Sequence, residues 1–138
     1  EYEAIVVGHF KERKGTINAP IGRDLKDRKK MAITPINSKP AVTHYEVLEE
    51  FVGYSYVRFR LETGRTHQIR VHMSSKGHAI IGDPVYAPKN TESFGLNGQC
   101  LHAKKIGFIH PISREYLEFD SPLPSHFQSI LARLKQFV

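Results

Sequence analysis

Alternating apolar and polar side chains predict three β-strands in the first half of the chain, at residues 2–10, 41–49 and 54–61. The third alternates most clearly, because Val57 and Phe59 fall on one face of an extended chain while arginines fall on the other. A glycine separates the second strand from the third. We therefore expect these two strands to pair as an antiparallel hairpin.

The second half of the chain carries two patterns typical of helices. Thr66 is placed to cap a helix that continues to Ser75, and Gly77 is placed to end it. A second helix is predicted to begin at Ser125, which forms an S-x-x-Q capping box with Gln128. Its apolar positions recur at helical spacing and predict one face packed on the core: Phe127, Ile130, Leu131, Leu134 and Phe137.

The remaining segments predict a hairpin and a long loop. Residues 101–109 and 115–119 are typical of two strands joined by a turn at residues 110–114. Gly and Pro punctuate the stretch from Gly15 to Pro35, which predicts a functional loop with short extended pieces. Strands in hairpins with helices between them predict one α+β domain, with a mostly antiparallel or mixed sheet and flanking helices.

The positive charge of the chain is concentrated in one segment. The formal net charge is +6, and eight basic but only three acidic residues lie between Lys11 and Lys30. Such a segment suits a polyanion, because each phosphate that it neutralises releases counterions. A solvated basic loop is the alternative. The residues of this segment that are candidates to bind a polyanion are Arg23, Arg28, Lys29 and Lys30.

Several other kinds of chemistry have little support in the sequence. The single cysteine, Cys100, favours a reducing, cytoplasmic compartment, and no apolar run approaches the length of a membrane span. No third residue orients Cys100 with His102, so we interpret the cysteine as inert. His67 and His72 do not share a helical face, and nucleotide-binding and serine-hydrolase motifs do not occur. We therefore expect neither a metal nor a cofactor.

The turn after the third strand holds the polar groups best placed for chemistry. Gly64 allows a tight turn, and the amides at a helix start attract an anion. Arg70 lies one turn further on and is able to pair with a carboxylate or phosphate near the helix start. An amphipathic helix with its polar groups turned to water is the alternative. The residues of this turn that are candidates to bind an anion are Arg65, Thr66, His67 and Gln68.

Stretches similar to one enzyme family run in order along almost the whole chain. Residues 63–73, TGRTHQIRVHM, resemble the third conserved motif of the ribosomal large-subunit pseudouridine synthase family, which also includes tRNA-modifying members. Residues 77–86, GHAIIGDPVY, are similar to its GHPILGDPVYG stretch, and the opening YEAIVVG resembles its tyrosine-bearing motif. Further similar stretches lie at residues 19–23, 39–48, 99–103, 110–111 and 122–124.

This resemblance implies an enzyme that converts a uridine of rRNA or tRNA into its C-glycoside isomer without a cofactor or metal. It makes RNA the expected ligand of the candidate residues in the basic segment and in the turn at residues 65–68. The target base must first be flipped out of the RNA into a pocket. The resemblance assigns Tyr2 to stacking on that base, Arg70 to pairing with the catalytic aspartate, and Leu101 to the apolar wall of the pocket. Pairing with an arginine keeps a carboxylate ionised.

The family's catalytic aspartate lies in an HRLDxxTSG motif upstream of the tyrosine motif, and the 138 residues contain no such motif. We therefore expect residues 1–138 to be the carboxy-terminal portion of a catalytic domain, inactive alone, with Arg70 lacking its partner. Asp83 is interpreted as a turn residue. A sheet cut beside Tyr2 would leave an unpaired edge, which predicts dimerisation.

Two alternative functions stay open. One is a non-catalytic RNA-binding module that reuses the fold, and the other is a small-molecule enzyme with an anionic ligand at Thr66.

Overall fold

The computed structural model describes residues 1–136, apart from the side chains of residues 106–108. Strands predominate, and two helices follow the main hairpins. The strands are β1 (Tyr2–Val7), β2 (Lys14–Asn18), β3 (Ile21–Arg23), β4 (Met31–Ile33), β5 (Ser38–Lys39), β6 (Val42–Phe51), β7 (Tyr54–Leu61), β8 (Leu101–Ala103), β9 (Lys105–Ile109) and β10 (Tyr116–Asp120), and the helices are α1 (Gln68–Ser75) and α2 (Ser125–Lys135).

The main sheet has five antiparallel strands in the order β2-β6-β7-β1-β8. The predicted pairing of β6 with β7 is confirmed, as is the alternation along β7, where Val57 and Phe59 are fully buried. Two smaller sheets, β10-β9 and β4-β3-β5, complete the fold. The α+β class predicted from the sequence is therefore confirmed.

Both faces of the main sheet are used, and each carries one helix. Thr43 lies on the same face as Val57 and Phe59, and its hydroxyl contacts Gln68 and His72 of α1. On the opposite face the ring of Tyr56 packs edge-on against Phe127 of α2, with the ring centroids 5.8 Å apart. Tyr2 pairs with Phe59 in the register of β1 and β7, so its side chain lies on the face of the sheet that α1 covers.

The basic segment is more ordered than the predicted loop. Its extended pieces are present, but β2 joins the edge of the main sheet, where it pairs with β6 and buries Ile17. Gly15 permits this pairing, because a Cβ at that position would lie 2.5 Å from the ring of Tyr45. The residues after β2 fold into the three-stranded sheet β4-β3-β5. Strand pairing at long range, and not local pattern, decides this part of the fold.

The capping residues of both helices differ from the prediction. His67, in a left-handed conformation with φ of 56°, occupies the capping position predicted for Thr66, and α1 begins at Gln68. α2 begins at Ser125, but Pro124 occupies the capping position and no side chain caps the helix. Gln128 instead donates a hydrogen bond to the carbonyl of Leu123 at 2.7 Å. Four predicted apolar positions of α2 are buried, whereas Phe137 lies outside the described residues.

The structure contradicts the prediction of an open edge beside Tyr2. β1 is an interior strand, paired with β7 on one side and β8 on the other. The predicted strand at residues 101–109 supplies this partner, because it divides into β8, which pairs with β1, and β9, which forms the predicted hairpin with β10. Among the described residues, neither helix has the length and apolar character to cross a membrane.

The packing of α2 gives a test of this core. Phe127 is 1% exposed, so we expect Phe127→Ala to lower the free energy of unfolding by about 3–5 kcal/mol through lost burial and a residual cavity. Ile112→Ala is the control, because Ile112 is 87% exposed and we expect a change below about 0.5 kcal/mol. Urea unfolding followed by circular dichroism measures both. Equal effects of the two substitutions would contradict this packing.

Candidate active site

A cavity of about 280 Å³ opens between α1 and the ends of β1, β7 and β8. It lies on the α1 side of the main sheet, and its walls combine apolar side chains with polar groups from the turn after β7. The lining residues are Tyr2, Leu61, Gly64, Arg65, His67, Gln68, Ile69, Arg70, Gln99 and Leu101. This set carries no carboxylate.

The three residues to which the sequence resemblance assigned catalytic roles line this one cavity. Tyr2 begins β1, Leu101 begins the neighbouring strand β8, and Arg70 projects from the first turn of α1. The antiparallel pairing of β1 with β8 brings Tyr2 and Leu101 together although they lie far apart in the sequence. The structure thus places an aromatic ring, an apolar wall and a cation around the same space.

Gln68 holds the turn that forms one wall of the cavity. Its carbonyl oxygen accepts hydrogen bonds from the Thr63 hydroxyl at 2.7 Å and from the Arg65 amide at 3.0 Å. Its amide nitrogen donates to the carbonyl of Val42 at 3.0 Å and to the hydroxyl of Thr43 at 2.9 Å. These four bonds use the full capacity of a glutamine side chain. Gln68 therefore belongs to the framework of the site, and the RNA contact assigned to it stays a prediction.

Arg70 pairs with a carboxylate inside the chain, which is not the catalytic aspartate that the resemblance gives it as a partner. Its Nε and Nη2 donate to the two carboxylate oxygens of Asp83 at 2.9 and 3.0 Å, in a buried bidentate pair. The carboxylate of Asp83 also accepts hydrogen bonds from the amides of Val85 and Tyr86, which confirms its interpretation as a turn residue. The alternative in which α1 turns its polar groups to water is wrong, because Arg70 and Gln68 are both buried.

Tyr86, which sequence reasoning did not single out, contacts both α1 with its preceding turn and the basic segment. The Arg70 guanidinium lies 5.0 Å from the centroid of its ring. Its hydroxyl lies 2.8 Å from Nδ1 of His67 and accepts a hydrogen bond from the amide of Met31 at 3.0 Å. The ammonium of Lys30 lies 5.7 Å from the same ring. Tyr86 thus connects the cavity to the basic segment.

Burial and the nearby guanidinium of Arg70 shift the pKa values of Asp83 and His67. Burial alone raises the pKa of Asp83, but the hydrogen bonds from Arg70, Tyr86 and Val85 outweigh it and bring the pKa below its ordinary value. Burial, together with the positive charge of Arg70, lowers the pKa of His67. At neutral pH Asp83 is therefore ionised and His67 uncharged. The uncharged imidazole shares a hydrogen bond of 2.8 Å with the Tyr86 hydroxyl through Nδ1.

A second, basic cavity adjoins the first and shares Gly64 and Arg65 with it. It is also lined by Thr66, Lys39 and Arg23, whose side chains come from the turn and from the small three-stranded sheet. The guanidinium of Arg65 is held in place by a 2.8 Å bond from Nε to the carbonyl of Pro40. A strip of positive charge therefore runs from the mouth of the first cavity toward β3.

The other predicted RNA-binding residues lie beyond this strip, in the turn between β3 and β4. Arg28 and Lys29 are exposed, and the carbonyl of Arg28 accepts a hydrogen bond from Nη1 of Arg23 at 2.7 Å. The carboxylate of Asp24 organises the turn by accepting the amides of Lys26 and Asp27. The four basic residues predicted in this segment thus extend outward from the second cavity.

Cys100 does not take part in the site chemistry. The side chain is 1% exposed, and burial raises the pKa of its thiol to about 12, so the reactive thiolate is not formed at neutral pH. This supports the interpretation of an inert cysteine. Within residues 1–136, no three His, Cys, Asp or Glu side chains come together in a way that could hold a metal ion.

Comparison with known proteins gives a consistent result. Residues 1–75 match the family model described as RNA pseudouridylate synthase. The chain is 49% identical over 136 residues to "Uncharacterized RNA pseudouridine synthase YlyB" of Bacillus subtilis, covering 99% of this chain and 44% of that protein. It is 44% identical over 140 residues to "Ribosomal large subunit pseudouridine synthase D" of Zymomonas mobilis, covering 96% of this chain and 44% of that protein. The chain therefore spans less than half the length of these relatives.

Solved structures agree with the sequence comparison. The chain is similar to human RNA pseudouridylate synthase domain containing 1, with a TM-score of 0.77 and 29% identity over 97% of this chain and 64% of the other. The similarity to human RNA pseudouridylate synthase domain containing 4 has the same TM-score, at 28% identity. The family model, the relatives and the fold point the same way, and the chain belongs to the RNA pseudouridylate synthase family.

Proposed function

We propose that the protein is an RNA pseudouridine synthase, and that residues 1–138 form the carboxy-terminal portion of its catalytic domain. The observation that carries this proposal is the cavity in which Tyr2, Arg70 and Leu101 meet. Family membership supplies the reaction class, and the cavity supplies a place where a flipped uracil would lie.

The reaction rearranges one nucleoside and adds nothing to it. The bond between N1 of uracil and C1′ of the ribose breaks, the base rotates, and C5 forms the new bond to C1′. The hydrogen on C5 leaves as a proton, and N1 gains a proton. We assign stacking on the base to the ring of Tyr2 and apolar packing against the base to Leu101. Neither contact is covalent, so the base is able to rotate while it stays in the cavity.

Arg70 is suited to hold the nucleophilic carboxylate that this chemistry requires. A guanidinium has five N–H donors, and Asp83 accepts from two of them, at Nε and Nη2. The remaining donors belong to a side chain that lines the cavity. We propose that they bind a catalytic aspartate supplied from outside these 138 residues and keep it ionised.

The basic strip beside the cavity is suited to the phosphates of the RNA on either side of the target uridine. Arg65 is common to both cavities, and Arg23 and Lys39 line the second one. We propose that rRNA or tRNA binds along this strip, and the ribosomal name of the Zymomonas relative favours rRNA. The protein would then act in the cytoplasm, where that RNA is found.

The first test measures turnover. We expect the protein translated from its complete coding sequence to release tritium from RNA that contains [5-³H]uridine, and the 138-residue chain alone to release none. Turnover by the 138-residue chain would overturn the proposal that the aspartate comes from outside it. If the complete protein binds the RNA but releases no tritium, a non-catalytic RNA-binding module is the correct description.

The second test addresses the basic strip. We expect Arg23→Ala to weaken RNA binding and to reduce the slope of log affinity against log salt concentration by about 1, because one phosphate contact is lost. Lys135→Ala, at the end of α2, is the charge-matched control and should leave the slope unchanged. Filter binding at several salt concentrations measures both. The same slope for Arg23→Ala and the unmodified protein would remove Arg23 from the interface.

A further inference from the structure

We propose that Asp83 is a positioning residue of this active site: it fixes the guanidinium of Arg70, with Tyr86 against the guanidinium face, so that the unused edge receives the nucleophilic carboxylate. This inference rests on the proposed function and deepens it. It assigns to the Gly-Asp-Pro turn a role in the reaction in addition to its role in the fold.

The geometry of the ion pair determines the orientation of the guanidinium. Asp83 engages Nε and Nη2, which lie along one edge of the planar group, in two bonds of 2.9 and 3.0 Å. Two parallel bonds to one carboxylate restrict rotation of the planar group about the Cδ–Nε bond and restrict its displacement along the carboxylate. Within the described residues Nη1 makes no hydrogen bond, and Arg70 lines the cavity. The edge opposite Asp83 is therefore the one available to a second carboxylate.

Asp83 is itself held rigidly. Its side chain is fully buried, and the amides of Val85 and Tyr86 donate to the same oxygen that receives Nη2. The preceding Gly82 has φ of +76°, and a Cβ there would lie 2.4 Å from the carbonyl of Gly98. The close contacts of Gly82 and the two amide bonds hold the carboxylate of Asp83 in place against Arg70.

The same turn is fastened to the two strands that carry the other active-site residues. The amide of Ile81 donates to the carbonyl of Ile5 in β1 at 3.0 Å, and the amide of Cys100 donates to the carbonyl of Ile81 at 2.9 Å. Tyr2 lies on β1, and Leu101 directly follows Cys100. A displacement of the turn would therefore move Arg70 relative to both residues that contact the base.

Tyr86 restrains the guanidinium in the remaining direction. Its ring lies 5.0 Å from Cζ of Arg70, and its hydroxyl is bonded to His67 and to the amide of Met31. The edge of the guanidinium is thus fixed by Asp83 and its face by Tyr86. Met31 follows the basic turn, so the segment proposed to bind RNA is in direct contact with this restraint.

Stability alone is a weak reason for this ion pair. A buried pair contributes little net stability once desolvation is counted, and well-packed apolar residues often serve as well. The negative charge of Asp83 also opposes the ionisation of any carboxylate that binds the other edge of Arg70. A geometric benefit explains why a carboxylate is used here despite these costs.

The experiment is a set of substitutions in the protein translated from its complete coding sequence, assayed by tritium release from RNA containing [5-³H]uridine. For Asp83→Asn we expect kcat to fall by about 10²-fold, as for a reacting group misplaced by about 1 Å, with KM within about two-fold. Glu3→Gln is the matched control. Glu3 is also a buried carboxylate paired with an arginine, Arg58, but it lies on the opposite face of the sheet. We expect its kcat to change less than about two-fold.

A double-mutant cycle separates positioning from a general loss of structure. If Asp83 acts through Arg70, Asp83→Asn should reduce kcat by less than about three-fold when Arg70→Lys is already present. Additive losses, or a kcat for Asp83→Asn within about three-fold of the unmodified protein, would overturn the inference.

If Asp83→Asn does not fold, Tyr86→Leu decides instead. This change removes the ring from the guanidinium, and a kcat lowered by about ten-fold is expected, whereas an unchanged kcat would overturn the inference.

The unmodified protein separates this inference from the proposed function. An unmodified protein that releases no tritium refutes the proposed function and this inference with it. An active unmodified protein in which Asp83→Asn is equally active leaves the proposed function standing and overturns the role of Asp83 alone.

Discussion

The structure depends on a short helix whose polar side chains are buried and must all find partners. Gln68, Arg70 and His72 of α1 are each less than a tenth exposed. An unpaired polar group in such a place costs free energy of about 1–3 kcal/mol, and an unpaired charge costs more. His72 meets the requirement through the hydroxyl of Thr43 and the carbonyl of Ala19, at 2.7 and 2.9 Å. The partners of α1 thus tie β6, the basic segment and the turn at Asp83 to one element.

This requirement also shapes the candidate active site. The hydrogen bonds of Gln68 hold the turn after β7 in place as a wall of the cavity. The ion pair of Arg70 holds the turn at Asp83 against α1. Two of the five guanidinium donors are used in the fold, and the cation still faces the cavity. One buried arginine therefore serves the packing of the domain and, in the proposed reaction, the nucleophilic carboxylate.

The sequence predicted those parts of the fold that depend on local periodicity. The alternation along β7 and the apolar face of α2 identified the buried residues, since burial of one face repeats every two or every 3.6 residues. The start of α1 was not predictable in this way. Thr66 has the chemistry of a cap, but the left-handed backbone of His67 and the bonds of Gln68 move the cap by one residue, to His67.

Contacts between residues that are distant in the chain were also not predictable from the sequence pattern. The pairing of Arg70 with Asp83, the interior position of β1 and the place of β2 at the sheet edge all depend on long-range packing. Resemblance to the family, and not periodicity, brought Tyr2, Arg70 and Leu101 together in the prediction. The role of Tyr86 had a signal only in the same resemblance, because it ends the stretch GHAIIGDPVY.

The most direct test of the account is an experimental structure of the protein translated from its complete coding sequence, bound to RNA that contains the target uridine. The account predicts a flipped uracil between Tyr2 and Leu101, and a carboxylate oxygen about 2.7–2.9 Å from a nitrogen on the free edge of the Arg70 guanidinium. A uracil bound outside this cavity, or an Arg70 that faces no carboxylate other than Asp83, would contradict it.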